Sequence, residues 1–537
     1  MRSHHSRLYA LLFLAALATA CSSSDDDSDS GSSGSDGPGA TTNPNIHATG
    51  NAAAGRDVFR FETFGNEGFW TDAMRLPQGI VAAGVTPLDA LAAGLSVDAE
   101  ALDQATLAAI AAELLTDLSP ANAPLLNDPA TTVLLVNANA VIGIAAKDSN
   151  GDGTIDVTAG DRAGATCALC HTITDGSVFA LPCGGSIGRR LDGRAPHDFD
   201  FGGFVALAQN SRALYPLLQL SLTANGGETL GRAPTGLTET STEAEVDAYL
   251  SNPQFYPVGM FDDTFDGNGD PMHNMPLFRT DLAAPWGSGG SLQFLDNFSN
   301  LVYTGLLDPT TLTTAGGRAF LETLAGPAGT EIADDYVVVL AATGVTNYPF
   351  ITAGAHAFPG TEAAPLGVRV DNAKLLDLNA YLNSLEAPPG IDAAPEVLAR
   401  GRERFRQSCT QCHNVAQGSF VPPGITPMLT IWPGDDPVVL AERDLPLNDI
   451  LNSPGFFDDK MAVVNASLRG LERGIAMPLL LDLARKPILL HDNSIRSLNG
   501  LLNPVRGPEA PHPFYEPDAV VRAELVAFLE SLDTDSN

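Results

Sequence analysis

The spacing Cys-x-x-Cys-His occurs twice in this chain, from Cys167 to His171 and from Cys409 to His413. Two thiols three residues apart lie on one helical turn and reach the two vinyl groups of a haem, while the adjacent histidine binds the iron. The pattern therefore predicts two covalently attached haem c groups. The residues that would hold them are Cys167, Cys170 and His171 in the first site, and Cys409, Cys412 and His413 in the second.

Zinc sites and redox dithiols also use the Cys-x-x-Cys spacing. A histidine directly after both copies, in a chain that begins with an export signal, favours haem attachment over either alternative. The two remaining cysteines are Cys21 and Cys183. Because Cys21 is assigned below to a lipid anchor, Cys183 is left alone, and we expect no disulfide framework even in an oxidising compartment.

The N-terminus has the pattern of an export signal. Arg2 and Arg7 precede an apolar run from Leu8 to Ala20, which is too short to span a bilayer. The run ends in Ala18-Thr19-Ala20-Cys21, which resembles a bacterial lipobox whose cysteine becomes the lipidated first residue. Its small residues also suit the ordinary signal peptidase. We expect a signal peptide over residues 1–20 and lipidation at Cys21.

Residues 21–45 are predicted to be a flexible, lipid-anchored linker. Ser22 to Gly39 is a Ser/Asp/Gly tract with almost no apolar content, so it cannot bury a core. A tether directly after a cysteine favours a lipoprotein, and Ser22 in place of an aspartate is similar to lipoproteins of the outer membrane. The protein is therefore expected to be exported and held at the outer membrane by lipid alone, facing the periplasm or the cell surface.

The chain is strongly acidic. It has 29 basic and 64 acidic residues, for a net charge of −35. Phosphate binding needs clustered cations, so this composition argues against a nucleic-acid partner. The charge first indicates solubility, and docking of a basic redox partner protein is the functional alternative.

Two segments of the chain have similar beginnings and similar ends. Gly55 to Arg60 resembles Gly401 to Arg406, and Leu378 to Glu386 resembles Leu525 to Asp533. The two closing segments carry apolar residues at helical spacing. Small c-type cytochrome domains pack such a terminal helix against the opening helix, so the chain looks like two cytochrome units.

The predicted fold class is therefore mainly α. We expect two cytochrome c-like helical haem domains, at residues 46–390 and 391–537, with long irregular loops and insertions in the first. Ala387 to Gly390 is the predicted linker between them.

Several stretches predict individual elements. Leu88 to Leu118 is Ala/Leu-rich and helical, and Pro395 to Arg406 is a helix that leads into the second haem motif. Short helices are expected near Glu243–Leu250 and Leu292–Leu301. Thr131 to Ala146 is a long apolar run, for which periodicity leaves a buried helix and a buried strand open.

Asp148 to Asp156 matches most of a calcium loop, with oxygen ligands at alternate positions and a glycine at position 6. The candidate ligands are Asp148, Asn150, Asp152, Thr154 and Asp156. Position 12 is Ala159 in place of the usual glutamate, and Asp161 is a substitute. A solvated acidic loop is the alternative. The shorter echo from Asp266 to Asp270 is interpreted as a turn.

The sixth ligand of each iron separates electron transfer from oxygen or peroxide chemistry. The candidates for the second haem are Met461, Met477 and His491. For the first haem, the segment Met272-His273-Asn274-Met275-Pro276 offers Met272, His273 and Met275, with His197 and His356 as further histidines.

Lys486 to Ser494, followed by Leu498 and Leu501 to Pro504, resembles the signature that closes the dihaem c-type oxidoreductases. That superfamily includes the bacterial dihaem cytochrome c peroxidases and the dihaem rubber oxygenases. The resemblance implies an axial role for His491. Val505 stands where the peroxidases place an axial methionine, so that part of the peroxidase pattern is not met.

The first unit is similar to a poorly characterised group of bacterial cytochromes c. The shared pieces are Phe59 to Trp70, Cys167 to His171 and Gly188 to Gly193. The insert that carries Cys183 departs from that group.

Two functions are consistent with these features. The first is electron transfer by an exported dihaem cytochrome at the cell envelope or surface. The second is a dihaem peroxidase or oxygenase, in which one open haem is catalytic and the other relays electrons. A third interpretation, a structural calcium-binding lipoprotein, is nearly excluded by the two haem motifs.

Overall fold

The computed structural model describes most of the chain between Gly50 and Asp533. The described residues are 50–229, 231–269, 271–280, 292, 295–354, 364–410, 413, 425–427, 441–442, 460–461, 474–476, 479–490, 495–506, 512 and 514–533. The expected signal peptide and the linker to residue 45 lie outside them, as do Cys21, His356, Cys412, Met477 and His491. Within this part of the chain, helices far outweigh strands, which confirms the predicted mainly α fold. No helix among these residues is both long and apolar enough to cross a membrane.

Polar side chains fix the starts of many helices, since they accept hydrogen bonds from backbone N–H groups that have no partner within the helix. Asn51 caps the first helix, and Thr242 with Glu245 forms a capping box. The α-helices of the described residues are α1 (Ala52–Phe61), α2 (Leu76–Ala83), α3 (Pro87–Ala92), α4 (Gln104–Glu113), α5 (Pro129–Asn137), α6 (Ala168–His171), α7 (Phe201–Val205), α8 (Glu243–Leu250), α9 (Leu295–Leu301), α10 (Ala315–Ala325), α11 (Pro327–Ala342), α12 (Asn372–Ser384), α13 (Pro395–Ser408), α14 (Leu498–Leu501) and α15 (Ala519–Glu530).

Tighter and wider helical turns connect these helices. The 3₁₀ turns are Ala99–Ala101, Ser211–Leu217, Thr223–Asn225, Pro309–Thr313, Leu483–Arg485 and Pro504–Arg506, and the π turns are Phe69–Ala73 and Val302–Leu306.

The strands are short. They are β1 (Val97–Asp98), β2 (Ile144–Lys147), β3 (Arg162–Ala165), β4 (Thr172–Thr174), β5 (Phe179–Ala180), β6 (Ser186–Gly188), β7 (Arg190–Asp192), β8 (Met260–Phe261), β9 (Met272–His273), β10 (Ile425–Pro427), β11 (Ala441–Glu442), β12 (Lys460–Met461) and β13 (Gly474–Ala476). Strand β6 lies between β1, which is parallel to it, and β5, which is antiparallel. The other pairs are antiparallel: β2–β3, β4–β7, β8–β9, β10–β13 and β11–β12.

The opening and closing helices of both units pack together, α1 on α12 and α13 on α15. A glycine permits each close approach. A Cβ on Gly55 would lie 1.8 Å from the carbonyl oxygen of Asp377, and a Cβ on Gly401 would lie 2.2 Å from that of Glu524. Any side chain at either glycine would force the two helices apart.

An aromatic pair stands beside each of these glycines. The rings of Phe59 and Tyr381 are 5.5 Å apart, and the rings of Phe405 and Phe528 are 5.6 Å apart. The four residues hold equivalent places in the opening and closing segments, so the two repeated sequences make the same helix contact. The boundaries of the two predicted domains stay predictions.

Turns divide two stretches that the sequence presents as continuous. The predicted helix from Leu88 to Leu118 is instead two helices, α3 and α4, separated by β1. For the apolar run from Thr131 to Ala146, periodicity left a helix and a strand open. The run contains both, because it passes from helix α5 into strand β2. Asn139 has a φ of +53° at the break.

The buried apolar residues fall into a large cluster and a small one. The large cluster runs from Val58 to Leu382 and surrounds the first haem motif. The small cluster is built on Phe405, Leu525 and Phe528. A third group, Phe278, Ala387 and Leu481, joins residues of the first unit to residues that follow the linker.

Candidate haem sites

The first haem motif forms the one-turn helix α6. Ala168 and Leu169, the two residues between the cysteines, are buried in the large core cluster. Gly143 lies against this helix, where a Cβ would meet the Cα of Leu169 at 2.1 Å, and its φ is +83°. Cys167 and Cys170 are only partly buried, and both are free thiols. The local fold therefore anchors the turn through its middle residues and leaves both cysteines available for attachment.

The ring of His171 is fixed by a single backbone group. Its Nδ1 lies 3.0 Å from the carbonyl oxygen of Met275. A carbonyl can only accept, so Nδ1 carries the proton and the lone pair is on Nε2. Burial lowers the pKa of His171 to about 4, which keeps the imidazole neutral at pH 7. A metal-binding histidine typically donates its other N–H to a carbonyl in this way.

The segment that supplies this carbonyl is held to the motif at further points. The Asn274 side chain donates a hydrogen bond to the carbonyl oxygen of Cys170. Gly193 N–H donates to the carbonyl of His171 at 2.8 Å, and Leu277 N–H donates to that of Gly193 at 2.8 Å. Backbone and side-chain bonds therefore tie residues 274–277 to the C-terminal end of α6.

Burial keeps both thiols of the first motif protonated. It raises the pKa of Cys167 to about 11 and that of Cys170 to about 12. Cys167 Sγ also lies 3.2 Å from the hydroxyl of Tyr303, which is fully buried in the second π turn. Protonated thiols in apolar surroundings are poor nucleophiles, so the site does not favour dithiol redox chemistry of its own.

A small cavity opens beside Cys170. It is lined by apolar and aromatic side chains, with Asn274 as its polar side chain. The lining residues are Cys170, Pro196, Phe199, Phe201, Gly259, Met260, Phe261 and Asn274. The residues that line this space would suit the apolar surface of a macrocycle attached at Cys170. The residues of the first motif therefore fit a covalently bound haem.

The three axial candidates near the first haem are in different settings. Met275 is 42% exposed, and its carbonyl already holds the ring of His171. Met272 and His273 are neighbours in β9, so their side chains point to opposite faces. His273 is paired with Met260 across β8–β9 and shares its face. The described geometry gives none of the three an iron-binding role, and that assignment stays a prediction.

His273 contacts two other parts of the chain. Its Nδ1 lies 2.6 Å from the carbonyl oxygen of Leu490, beyond the predicted linker. Its ring centre lies 6.3 Å from that of His197, with the ring planes at 53°. Burial lowers the pKa of His197 to about 3, and the charge of Lys486 acts in the same direction. The first and second units therefore meet at this histidine pair.

The second motif continues from the end of α13. Cys409 N–H donates to the carbonyl of Phe405 at 2.8 Å, and His413 N–H donates to that of Cys409 at 2.9 Å. Cys409 and His413 therefore lie one helical turn apart, and Cys409 is a free thiol. Cys412 lies outside the described residues.

The ring of His413 faces the ring of His512. Their centres are 6.2 Å apart and their planes are inclined by 35°. Burial lowers the pKa of His413, and its Nδ1 is buried with no hydrogen-bond partner among the described residues. His512 has a φ of +66°, a strained conformation for a residue other than glycine. Two imidazole rings thus lie close together at the second motif.

The segment that carries His512 is fastened to α13. Arg404 pairs with Glu516, which is 4% exposed, and its guanidinium lies 5.3 Å from the ring centre of Phe514. Glu516 N–H donates to the carbonyl of Leu502 at 3.0 Å. The helix that leads into the second motif therefore also positions the chain that follows His512.

Sequence reasoning did not single out His512, Met260 or Tyr303. His512 follows the resemblance segment by some twenty residues and lies in a Pro-rich stretch without helical or strand periodicity. Its only sequence signal is its type, as one of few histidines in the second unit. Met461 lies in β12, and the structure does not describe its side chain.

The predicted calcium loop bonds mainly to itself. Asp148 accepts from Gly151 N–H at 2.7 Å and from Gly153 N–H at 2.9 Å, in the manner of a closed turn. Asp161 is 2% exposed and accepts from the N–H groups of Ser149, Asn150 and Asp156. Among the described residues, no three His, Cys, Asp or Glu side chains converge closely enough to hold a metal ion. Calcium at this loop stays a prediction.

The expectation for Cys183 is wrong. Cys183 is disulfide-bonded, whereas Cys167, Cys170 and Cys409 are free thiols. Of the six cysteines, this leaves Cys21 and Cys412 as partners, so the disulfide cannot coexist with both lipidation at Cys21 and haem attachment at Cys412. The prediction assigned the other five cysteines to haem or lipid and so found no partner for Cys183. Such an assignment cannot reveal a disulfide between residues that are distant in sequence.

Comparisons with known proteins assign no family to the chain. No protein-family model matches it, and no curated protein matches it. Among solved structures, the chain is similar to hydrazine synthase from Kuenenia stuttgartiensis, with a TM-score of 0.24 and 14% sequence identity over 51% of this chain and 76% of that chain. A similarity this low carries no conclusion about fold or activity.

Proposed function

We propose that this protein is an exported dihaem c-type cytochrome that transfers electrons at the cell envelope. The first haem would be held by Cys167, Cys170 and His171, and the second by Cys409, Cys412 and His413. When bound, each haem supplies a one-electron couple whose potential depends on its axial ligands and burial. The partners would be redox proteins, and Cys21 would provide a lipid anchor. With lipid at Cys21 and haem at Cys412, Cys183 would not form this disulfide in the mature protein.

The observation that carries this proposal is the facing of His413 and His512. Metal–imidazole bonds of roughly 2 Å on each side, plus roughly 1 Å from each nitrogen to its ring centre, sum to roughly 6 Å. The measured separation is 6.2 Å. An iron with two imidazoles has no open position for oxygen or peroxide, so this haem would be an electron carrier.

A ring separation of this size does not by itself identify a haem site, because the rings of His197 and His273 are also 6.3 Å apart. His413 differs in that it completes a haem motif. His512 differs in its strained backbone and in the Arg404–Glu516 pair that fixes its segment to the motif helix. These features support His512, rather than His491, as the sixth ligand of the second haem.

A dihaem peroxidase or oxygenase is the second candidate function. It is favoured by the apolar cavity beside Cys170, where none of the lining side chains is charged. A first haem without a sixth protein ligand would present an open, water-poor face there, while the second haem would act as the relay.

The EPR spectrum of the oxidised full-length protein at low temperature separates the two functions. Two low-spin signals of equal intensity are expected for an electron-transfer cytochrome. One low-spin and one high-spin signal would instead support the catalytic alternative, and two high-spin signals would contradict the assignment of His512.

A further inference from the structure

Three aspartates lie close together just after β8: Asp262, Asp263 and Asp266. Asp262 is 2% exposed and Asp266 is 6% exposed. Their hydrogen bonds come from Thr264 and Asn268 of the same loop. Among the described residues, neither carboxylate has an arginine or lysine partner. Buried carboxylates of this kind are normally paired with a cation or bound to a metal.

One hydroxyl group lies between the two buried carboxylates. Thr264 Oγ1 is 3.0 Å from Asp262 Oδ1 and 3.2 Å from Asp266 Oδ1. The hydroxyl has a single proton, so it can donate to only one of them. The other contact brings two oxygen lone pairs together, which repel each other unless a proton or a cation lies between them.

The second oxygen of Asp262 points to the same need. Asp262 Oδ2 is buried and has no hydrogen-bond partner among the described residues. Burial raises the pKa of this carboxyl well above its usual value, and the charge of Asp266 raises it further. An unsatisfied buried carboxylate oxygen is a costly feature that a bound cation would remove.

The spacing of these residues is that of an oxygen-ligand loop. Asp262, Thr264 and Asp266 fall at positions 1, 3 and 5, and Gly267 falls at position 6, where calcium loops place a glycine for a sharp turn. Gly267 has a φ of +80°. The sequence interpretation of a turn covered only Asp266–Asp270, whereas the alternating oxygen side chains begin four residues earlier, at Asp262.

We propose that Asp262, Thr264 and Asp266 bind a Ca²⁺ ion. Two carboxylates lie on either side of one hydroxyl here. Ca²⁺ completes its six to eight oxygen ligands with backbone carbonyls and water, whereas Mg²⁺ demands a stricter octahedron. The site is distinct from the loop at Asp148–Asp156, whose carboxylates are exposed.

The cation would lie in the connection between β8 and β9. Strand β9 leads directly to Asn274 and Met275, which bond to Cys170 and His171. Ca²⁺ binding should therefore stiffen the segment that orients the histidine of the first haem. This consequence rests on the proposed function, whereas the binding of Ca²⁺ itself does not.

Calorimetric titration of Ca²⁺ into the full-length holoprotein, after removal of metal with EGTA, tests the site. The double variant Asp262→Asn/Asp266→Asn should lose one equivalent of Ca²⁺, and Asp262→Asn alone should weaken that equivalent at least about tenfold. The matched control Asp263→Asn removes a neighbouring charge at position 2 but no proposed ligand, so it should keep the full stoichiometry and weaken binding less than Asp262→Asn does. Asp148→Asn/Asp152→Asn should leave this equivalent in place.

Equal stoichiometry and affinity in the wild type and in Asp262→Asn would overturn the proposal, as would a wild-type protein that binds no Ca²⁺. Asparagine preserves the shape of aspartate, and near-ultraviolet circular dichroism of each variant checks the fold. The haem content of the same samples separates the two proposals. Two haems without Ca²⁺ binding would reject only the cation site, and Ca²⁺ binding without haem would reject only the proposed function.

Discussion

The ring of His413 lies 6.2 Å from the ring of His512, and the two planes are inclined by 35°. The two residues are 99 positions apart in the sequence, so only the fold brings them together. His413 is the last residue of a haem motif, and His512 precedes the closing helix α15. Their separation matches that of two imidazoles bound to one metal ion, which is why His512 is the proposed sixth ligand.

Replacing His512 with alanine should remove the sixth ligand of the second haem. We expect its low-spin EPR signal to be replaced by a high-spin signal, and carbon monoxide to bind after reduction, because an iron coordination position becomes open. The signal of the first haem should stay unchanged and serves as an internal control.

The variant His491→Ala provides the matched comparison. It removes the histidine that the resemblance to rubber oxygenases favours, and it should leave the second haem low-spin. The opposite outcome, with His491→Ala high-spin and His512→Ala low-spin, would transfer the axial role to His491.

Replacing Arg404 with glutamine should disturb the second haem from a distance. Arg404 links α13 to Glu516 and covers Phe514, so its loss should cost about 1 to 2 kcal/mol of unfolding free energy and raise the high-spin fraction at the second haem. Arg400→Gln, on the same helix, removes an exposed pair with Glu524 and should change stability by less than about 0.5 kcal/mol. Equal effects of the two variants on the spectrum would show that Arg404 does not position His512.

Replacing Asn274 with alanine should affect the first haem alone. The Asn274 side chain donates to the carbonyl of Cys170, beside the Met275 carbonyl that holds His171. Loss of this bond should cost about 1 kcal/mol of stability and shift the Soret band of the first haem. A shift in the spectrum of the second haem instead of the first would show that Asn274 does not position the first haem.

The buried pair of Arg190 and Asp98 should be needed for the stability of the first unit. Their side chains are 2% and 8% exposed and lie 2.5 Å apart. Asp98→Ala leaves a buried guanidinium without its partner, so urea denaturation should show a loss of about 3 to 5 kcal/mol. The double variant Asp98→Leu/Arg190→Met should recover most of this loss, and a double variant as unstable as Asp98→Ala would show that charge pairing is not the cause.

Asp247 should give the protein a pH-dependent stability. Burial, together with the charge of Glu243 and against the hydrogen bond from Ser211, raises its pKa to about 6. The folded state therefore binds the proton more tightly than the unfolded state, so this contribution makes the protein more stable as the pH falls from above 6 towards 4. At pH 7, Asp247→Asn should be more stable than the wild type by about 1 kcal/mol after allowance for solvent screening, and it still accepts the bond from Ser211. A difference that grows as the pH falls would contradict this sign.

The sequence contains the repeated helix contact in full. Gly55 and Gly401 precede Phe59 and Phe405 by the same four positions, and helical periodicity in the closing segments predicts the partner. Local spacing and helix geometry suffice here. The same holds for α13, which begins with Pro395, and for α8, which begins with a capping box.

Contacts between distant residues are beyond such local signals. Nothing near His512 in the sequence marks it as the partner of His413, and the carbonyl of Met275 has no side-chain signature at all. Asn139 breaks an apolar run into α5 and β2 through a single backbone angle that its residue type permits but does not require. The two cysteine motifs were predictable because covalent chemistry fixes their spacing. A sixth ligand has no fixed spacing, since the fold can bring it to the iron from any part of the chain.

The central claim is that this chain carries two covalently bound haems. A pyridine haemochrome assay on the purified full-length protein, after extraction with acid acetone, tests it most directly, since thioether-linked haem resists this extraction. The account predicts two haems per chain, falling to one in Cys167→Ala/Cys170→Ala and to one in Cys409→Ala/Cys412→Ala. A wild-type protein that retains no haem would contradict the account, and one that retains a single haem would remove one of the two sites.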